Sequence, residues 1–167
     1  MTLTEERPAA ANEAARRAMI DSQLRTSGVN EPWVLAAMAS VAREDFVPES
    51  ARTAAYIDRA IPLGEGRFLA APLVHARMLA EAAPTPEDKV LLVGDGNGYL
   101  AALLRPLCGS LEAIDPAAAV SAKGKAGAFT LIVIDGAIEQ LPAPLAARLA
   151  EQGRLVTGQV ERGVTRL

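Results

Sequence analysis

Residues 89–99 read Lys-Val-Leu-Leu-Val-Gly-Asp-Gly-Asn-Gly-Tyr, and no other run limits the possible folds as much. A short apolar stretch enters a glycine-rich turn that opens onto a helical pattern, the strand–turn–helix of an α/β protein. Strands that are apolar throughout are buried on both faces of a parallel sheet. Three more follow: 111–114, ending at Asp115; 129–134, ending at Asp135-Gly136; and 154–160, entered through Gly153. Helices over 99–107 and 144–151 lie between them. The fold class is therefore α/β, a parallel-type sheet with helices on both faces. The four strands are expected to be parallel neighbours with 89–93 central.

The N-terminal part has a different grammar. Residues 1–9 read as a leader, followed by a helix over 10–27 with Arg17 and Asp21 one turn apart and Gly28 as its stop. Asn30 is the expected N-cap of the next helix, with Pro32 in its first turn and Val34, Leu35, Met38 and Val41 on one face. A short helix over 49–56 follows. Residues 61–72, with Gly64 and Gly66 around Glu65, read as an extended loop containing a turn, and 72–83 as a helix stopped by Pro84 and Pro86. Trp33, Tyr56 and Cys108 are assigned to the core. The whole is expected to be one domain over 1–167: a helical cap and loop over about 1–70, and an α/β body over about 71–167.

Composition removes several function classes. The chain has 167 residues, half of them apolar, enough for one core. Its 17 basic and 20 acidic residues leave a net charge of -3 with no basic block, which argues against a nucleic-acid binder. Cys108 and His75 are each alone of their kind, which excludes a disulfide framework and a Cys/His metal site within one chain. No secretory signal and no apolar run of membrane-spanning length is present, so no membrane partner is expected and the location is expected to be cytoplasmic. The oligomeric state stays open.

The glycine spacing narrows the ligand. Gly94, Gly96 and Gly98 give G-x-G-x-G. A dinucleotide loop would need glycine where this chain has Tyr99. Asp95 and Asn97 complete the turn, and the five residues 94–98 are its candidate ligand contacts. The G-x-G-x-G form is typical of class I methyltransferases that bind S-adenosylmethionine. Asp115 ends the next strand, at a distance where a carboxylate accepts hydrogen bonds from ribose hydroxyls. The alternative is a purely structural turn with a solvated aspartate. Asp135-Gly136 reads as a strand-end turn.

Several stretches resemble the protein-L-isoaspartate O-methyltransferases, in order along 14–160. They are Met19-Ile20-Asp21-Ser22-Gln23-Leu24-Arg25; Val34-Leu35-Ala36-Ala37-Met38 with Val41-Ala42-Arg43-Glu44-Asp45-Phe46-Val47-Pro48; Ala55-Tyr56-Ile57-Asp58; Ile61-Pro62-Leu63-Gly64-Glu65-Gly66; the glycine loop; and Ile134-Asp135-Gly136-Ala137. The resemblance implies a Rossmann-like class I methyltransferase with S-adenosylmethionine as cofactor. It also implies isoaspartyl-containing peptides or proteins as partners, methylated on the carboxylate.

Three features depart from the family pattern. The substrate loop of the family resembles G-x-T-I-S-x-P, whereas this chain has Gly66-Arg67-Phe68-Leu69-Ala70-Ala71-Pro72. The catalytic group is thus unassigned: Ala70 holds the serine position and Phe68 the threonine position, leaving Arg67, Pro72 and His75 as substrate-side candidates. Only residues 116–129 separate the second strand from the next, room for one crossover where the family has helix, strand and helix. The chain also stops at Leu167 where the family continues, as in a shortened member or a partial chain. Ala70 and the short 116–129 segment favour the alternative, a catalytically weak or inactive relative acting as a binding protein.

Overall fold

The computed structural model describes residues 6–121 and 123–167. The chain forms two compact units, residues 1–80 and 81–167.

The described residues of the first unit form helices, 3-10 turns and one hairpin, joined by irregular segments. Helix α1 spans Glu6–Met19 and continues through a π-helical turn, Ile20–Leu24, and a 3-10 turn, Arg25–Ser27. It ends at Gly28 with φ 90°, the left-handed stop expected there. The helix begins before the expected Ala10, so residues 6–9 belong to it; the rest of the expected leader lies outside the described residues. The expected Arg17–Asp21 pair is replaced by two others: Arg17 bonds Glu13 at 2.7 Å, and Arg25 lies 3.3 Å from Asp21. Helix α2 is Pro32–Ser40. Its N-cap is Glu31, not Asn30, and no side chain caps it; the Asn30 N–H bonds Glu31 instead. Residues Glu49–Ala54 form a 3-10 turn. The expected loop over 61–72 contains a two-stranded antiparallel hairpin, β1 Ile61–Gly64 and β2 Arg67–Leu69. Gly64, Glu65 and Gly66 all have positive φ at its turn. Helix α3, Pro72–Ala82, crosses from the first unit into the second and stops before Ala83, whose φ is 40°. Tyr56 is buried as expected, but Trp33 is 37% exposed and so lies at the surface.

The second unit carries a five-stranded sheet in the order β4-β3-β5-β6-β7. Its strands are β3 Lys89–Val93, β4 Ser110–Ile114, β5 Phe129–Ile138, β6 Leu149–Glu161 and β7 Val164–Arg166. The four expected strands pair in parallel, and β3 is interior, flanked by β4 and β5. The antiparallel edge strand β7 was not foreseen. The expected helix over 99–107 is α4, Tyr99–Leu104, followed by a 3-10 turn. The expected helix over 144–151 is only α6, Ala143–Ala146, because the chain joins β6 at Leu149. The β5–β6 ladder becomes regular at Leu131–Arg154, where the fourth strand was expected to begin. One short helix, α5 Pro116–Ala119, lies between β4 and β5, leaving β4 at the sheet edge. Leu91, Val93, Ile132 and Ile134 pack with Ala119 of α5 and Leu145 of α6. The alternate residues Val90, Leu92, Leu131 and Val133 are buried as well, so both faces of the central strands are covered. Cys108 is half-buried rather than core.

A polar clamp closes the amino-terminal end of this sheet. Asp88 accepts two bonds from the Arg154 guanidinium, at 2.6 and 3.1 Å, one from the Thr130 hydroxyl at 2.7 Å and one from the Thr85 N–H at 2.8 Å. Arg154 also donates to the Ala82 and Ala83 carbonyls at the end of α3. The Asp88 carbonyl takes the Gly109 and Ser110 N–H groups at the start of β4. Gly109 is glycine because a Cβ there would lie 2.4 Å from the Pro86 carbonyl. The Arg154 guanidinium above all holds the Asp88 carboxyl well below its ordinary range, outweighing the opposing effect of burial. Asp88→Asn should therefore destabilise the protein by about 2–3 kcal/mol at neutral pH, less than a fully buried pair would, because Arg154 is about a third exposed. The Asp88 contribution is complete above the unfolded-state value near 4 and is lost as the pH falls through the depressed folded-state value. Urea unfolding of both proteins between about pH 7 and 3 should show the gap narrowing below about pH 4.

Candidate active site

The carboxyl ends of β3, β4 and β5 meet at one place. Val93 is in register with Ile114 on one side and Ile134 on the other. The next residue on each strand is then level: Gly94, Asp115 and Asp135. The Gly94 N–H continues the ladder onto the Ile114 carbonyl at 2.9 Å. Because β4 and β5 lie on opposite sides of β3, this is the switch point of the sheet, where open α/β sheets bind their ligands.

Each glycine of the turn answers a separate steric demand. Gly94 has φ 155°, and a Cβ there would lie 3.0 Å from the Asp135 Cβ. A Cβ on Gly96 would lie 2.9 Å from the Ala113 Cβ of β4, and one on Gly98 would lie 3.1 Å from the Asp95 Cβ and carbonyl. Only Gly94 has positive φ; Gly96 and Gly98 are small for close approach. Asp95 folds the turn, its Oδ1 accepting the Asn97 N–H at 2.9 Å and its carbonyl the Gly98 N–H at 3.0 Å. Arg105 braces it from behind by donating to the Gly96 carbonyl at 2.7 Å. Asp95, Asn97 and Asp115 are exposed. Asp115 spends Oδ1 on the Ala117 N–H at 2.8 Å, capping α5, and an ionised carboxylate keeps further lone pairs for a ligand.

Asp135 differs from its sequence reading. It is not a strand-end turn: β5 runs on to Ile138. The β5–β6 register breaks between Val133 and Ala137, so that Ile134, Asp135 and Gly136 form an irregularity in the strand. The repeated Ile-Asp step at 114–115 and 134–135 was the available signal that both carboxylates reach the same level.

The substrate-side candidates lie in the first unit. Arg67 is largely exposed, 3.9 Å from Glu65. Phe68 is 61% exposed, while Leu69 beside it is buried. Pro72 is buried at the first position of α3. His75, one turn on, is fully buried, its Nδ1 3.4 Å from Nη1 of a fully buried Arg43. Arg43 was not singled out from the sequence, since an arginine in Arg43-Glu44-Asp45-Phe46 carries no local sign of burial.

Residues 14–126 match the family model of protein-L-isoaspartate(D-aspartate) O-methyltransferase. The chain belongs to the protein-L-isoaspartate O-methyltransferase family. It is 36% identical to a Methanoregula boonei protein-L-isoaspartate O-methyltransferase, over 84% of this chain and 76% of that one. An Anaeromyxobacter protein-L-isoaspartate O-methyltransferase 2 is 33% identical, over 93% of this chain and 74% of that one. A Plasmodium falciparum structure described as a protein-L-isoaspartate O-methyltransferase, in complex with S-adenosyl-L-homocysteine, superimposes with a TM-score of 0.73 at 18% identity, covering 92% of this chain and 86% of that one. The fold is thus the Rossmann-like class I methyltransferase fold. Against the family pattern, the single four-residue helix α5 is the only helix among the described residues of 116–128.

The Gly96 contact generates a stability test. Gly96→Ala should cost about 1–3 kcal/mol through overpacking against Ala113. Adding Ala113→Gly should recover part of that loss, a non-additivity readable in thermal unfolding of the two single variants and the double.

Proposed function

We propose that this chain transfers a methyl group from S-adenosylmethionine to the α-carboxylate of isoaspartyl residues in damaged proteins. The reading rests on one observation: in a chain of this family, the Gly94–Gly98 turn and Asp115 stand side by side at the switch point of the sheet. The donor set fits a nucleoside carrying an amino-acid tail. Gly94, Gly96 and Gly98 let the turn pack closely against Asp135, Ala113 and Asp95, which sets it beside Asp115, an exposed carboxylate suited to ribose hydroxyls. Asp95, Asn97 and Asp135 border the same turn. S-adenosylmethionine supplies an already activated sulfonium methyl.

The acceptor makes few demands on the protein. An α-carboxylate is ionised at neutral pH and needs no general base. The work left to the chain is alignment and exclusion of water. On the substrate side, Arg67 offers a guanidinium fork to a carboxylate, while Pro72 opens α3 and the His75 N–H donates to the Ala71 carbonyl at the end of the loop. No helix among the described residues is long and apolar enough to cross a membrane. The relatives named above carry the enzyme's name, and none of them supports a non-catalytic binding protein.

Two measurements test this reading. In calorimetric titration with S-adenosylhomocysteine, Asp115→Ala should weaken binding by about 2–4 kcal/mol for two lost hydrogen bonds to a carboxylate. Asp115→Asn keeps the cap on α5 but loses the charge, and should still weaken binding by more than tenfold; unchanged affinity would make Asp115 a cap and nothing more. In methyl transfer to an isoaspartyl peptide, Ala70→Ser should raise kcat/KM by at most roughly 10- to 200-fold, the value of one charge-assisted hydrogen bond. Binding of S-adenosylhomocysteine with no transfer by the wild type or by Ala70→Ser would overturn the catalytic reading.

A further inference from the structure

The buried Arg43 guanidinium reaches three other segments of the first unit. Its Nε donates to the Ala55 carbonyl at 2.7 Å and its Nη2 to the Ala70 carbonyl at 2.5 Å. Nη1 lies 3.4 Å from Nδ1 of His75 on α3. The Arg43 N–H bonds the Tyr56 hydroxyl at 3.2 Å. Arginine is a donor only, so the His75 Nδ1 facing it accepts. The Tyr56 hydroxyl donates to Glu44, and Arg16 donates to both Tyr56 and Glu44. Burial and the Glu44 bond push the Tyr56 phenol up to about 12, so it stays a neutral donor across the working pH range. Arg43 is thereby held in place while it grips its carbonyls.

One of those carbonyls belongs to Ala70, the loop position at which the family pattern has its substrate-placing serine. With no hydroxyl at 70, the geometry of this loop toward a carboxylate depends on its backbone. That backbone runs from a hairpin turn with three consecutive positive φ values to the first turn of α3. Arg43 ties it at Ala70, and His75 ties the same guanidinium to α3. Lysine could not replace it: an ammonium is a single point and cannot span three acceptors held by a planar fork.

We propose that Arg43 is a positioning residue for the substrate loop, setting the backbone at Ala70 and, through it, the affinity for the isoaspartyl carboxylate. This rests on the methyltransferase reading above. Arg43 touches no substrate and acts only through the loop.

The test uses Arg43→Lys in the full chain, read in two ways. The first is amide hydrogen exchange without ligand. Residues 66–71 should exchange at least about tenfold faster, the loss of roughly one charged hydrogen bond, while β3 and β5 keep their protection. The second is steady-state kinetics with an isoaspartyl peptide: the peptide KM should rise about tenfold or more while the KM for S-adenosylmethionine stays within about twofold. Should Arg43→Lys fail to fold, His75→Leu removes one acceptor of the same guanidinium and is read by the same measurements in the same direction. Unchanged exchange over 66–71 overturns the proposal, as does a parallel rise in both KM values, which marks a general structural defect. If the wild type methylates no isoaspartyl peptide, the functional reading fails, and the exchange experiment still decides whether Arg43 sets the loop.

Discussion

The parallel pairing of β3 with β4 on one side and β5 on the other is the constraint on which the second unit depends. It places three strand ends level, so Gly94, Asp115 and Asp135 stand in a row although they are about twenty residues apart in sequence. The row exists only because the chain leaves β3 toward one edge and returns on the other side, which makes this the switch point of the sheet. The steric demands on the glycine turn follow from the same pairing. Gly96 meets Ala113 because β4 lies alongside, and Gly94 meets Asp135 because β5 does. Substituting either glycine would alter strand spacing before it altered any ligand contact.

The two ends of the sheet are built differently. At the amino-terminal end, Asp88 gathers Arg154, Thr130 and Thr85, and its carbonyl anchors the start of β4. At the carboxyl-terminal end Asp95, Asn97 and Asp115 are exposed, and Asp95 and Asp115 accept backbone N–H groups of their own turns. In the first unit a single buried cation has a comparable organising part. Arg43 satisfies carbonyls from segments that sequence separates widely, and Tyr56, Glu44 and Arg16 hold it there.

What could be read from the sequence followed short-range rules. Strand β3 and its turn were legible because an apolar run followed by glycines has few other folds, and Gly28 because a helix stop needs a left-handed residue. The positions of the turn and Asp115 were legible for the same reason: both lie at fixed offsets from strand ends. Local rules failed where a neighbour intervened. Asn30 lost the N-cap to Glu31, whose side chain took the Asn30 N–H. Arg17 and Asp21 each found a different partner one turn away. The helix expected over 144–151 was cut short because Leu149 was drawn into pairing with Phe129, a contact across the sheet that no window of local sequence contains.

By itself, then, the sequence determined an α/β body with a glycine-rich strand-to-helix turn, because apolar runs, glycine spacing and strand-end carboxylates act over a few residues each. Tertiary structure alone decided that Asp135 lies inside a strand level with Asp115, since that depends on the register between strands. It also decided that Arg43 is buried beneath the Ala70 loop. A charged side chain is buried only when distant segments supply acceptors for it, and Ala55, Ala70 and His75 come together only after the chain has folded.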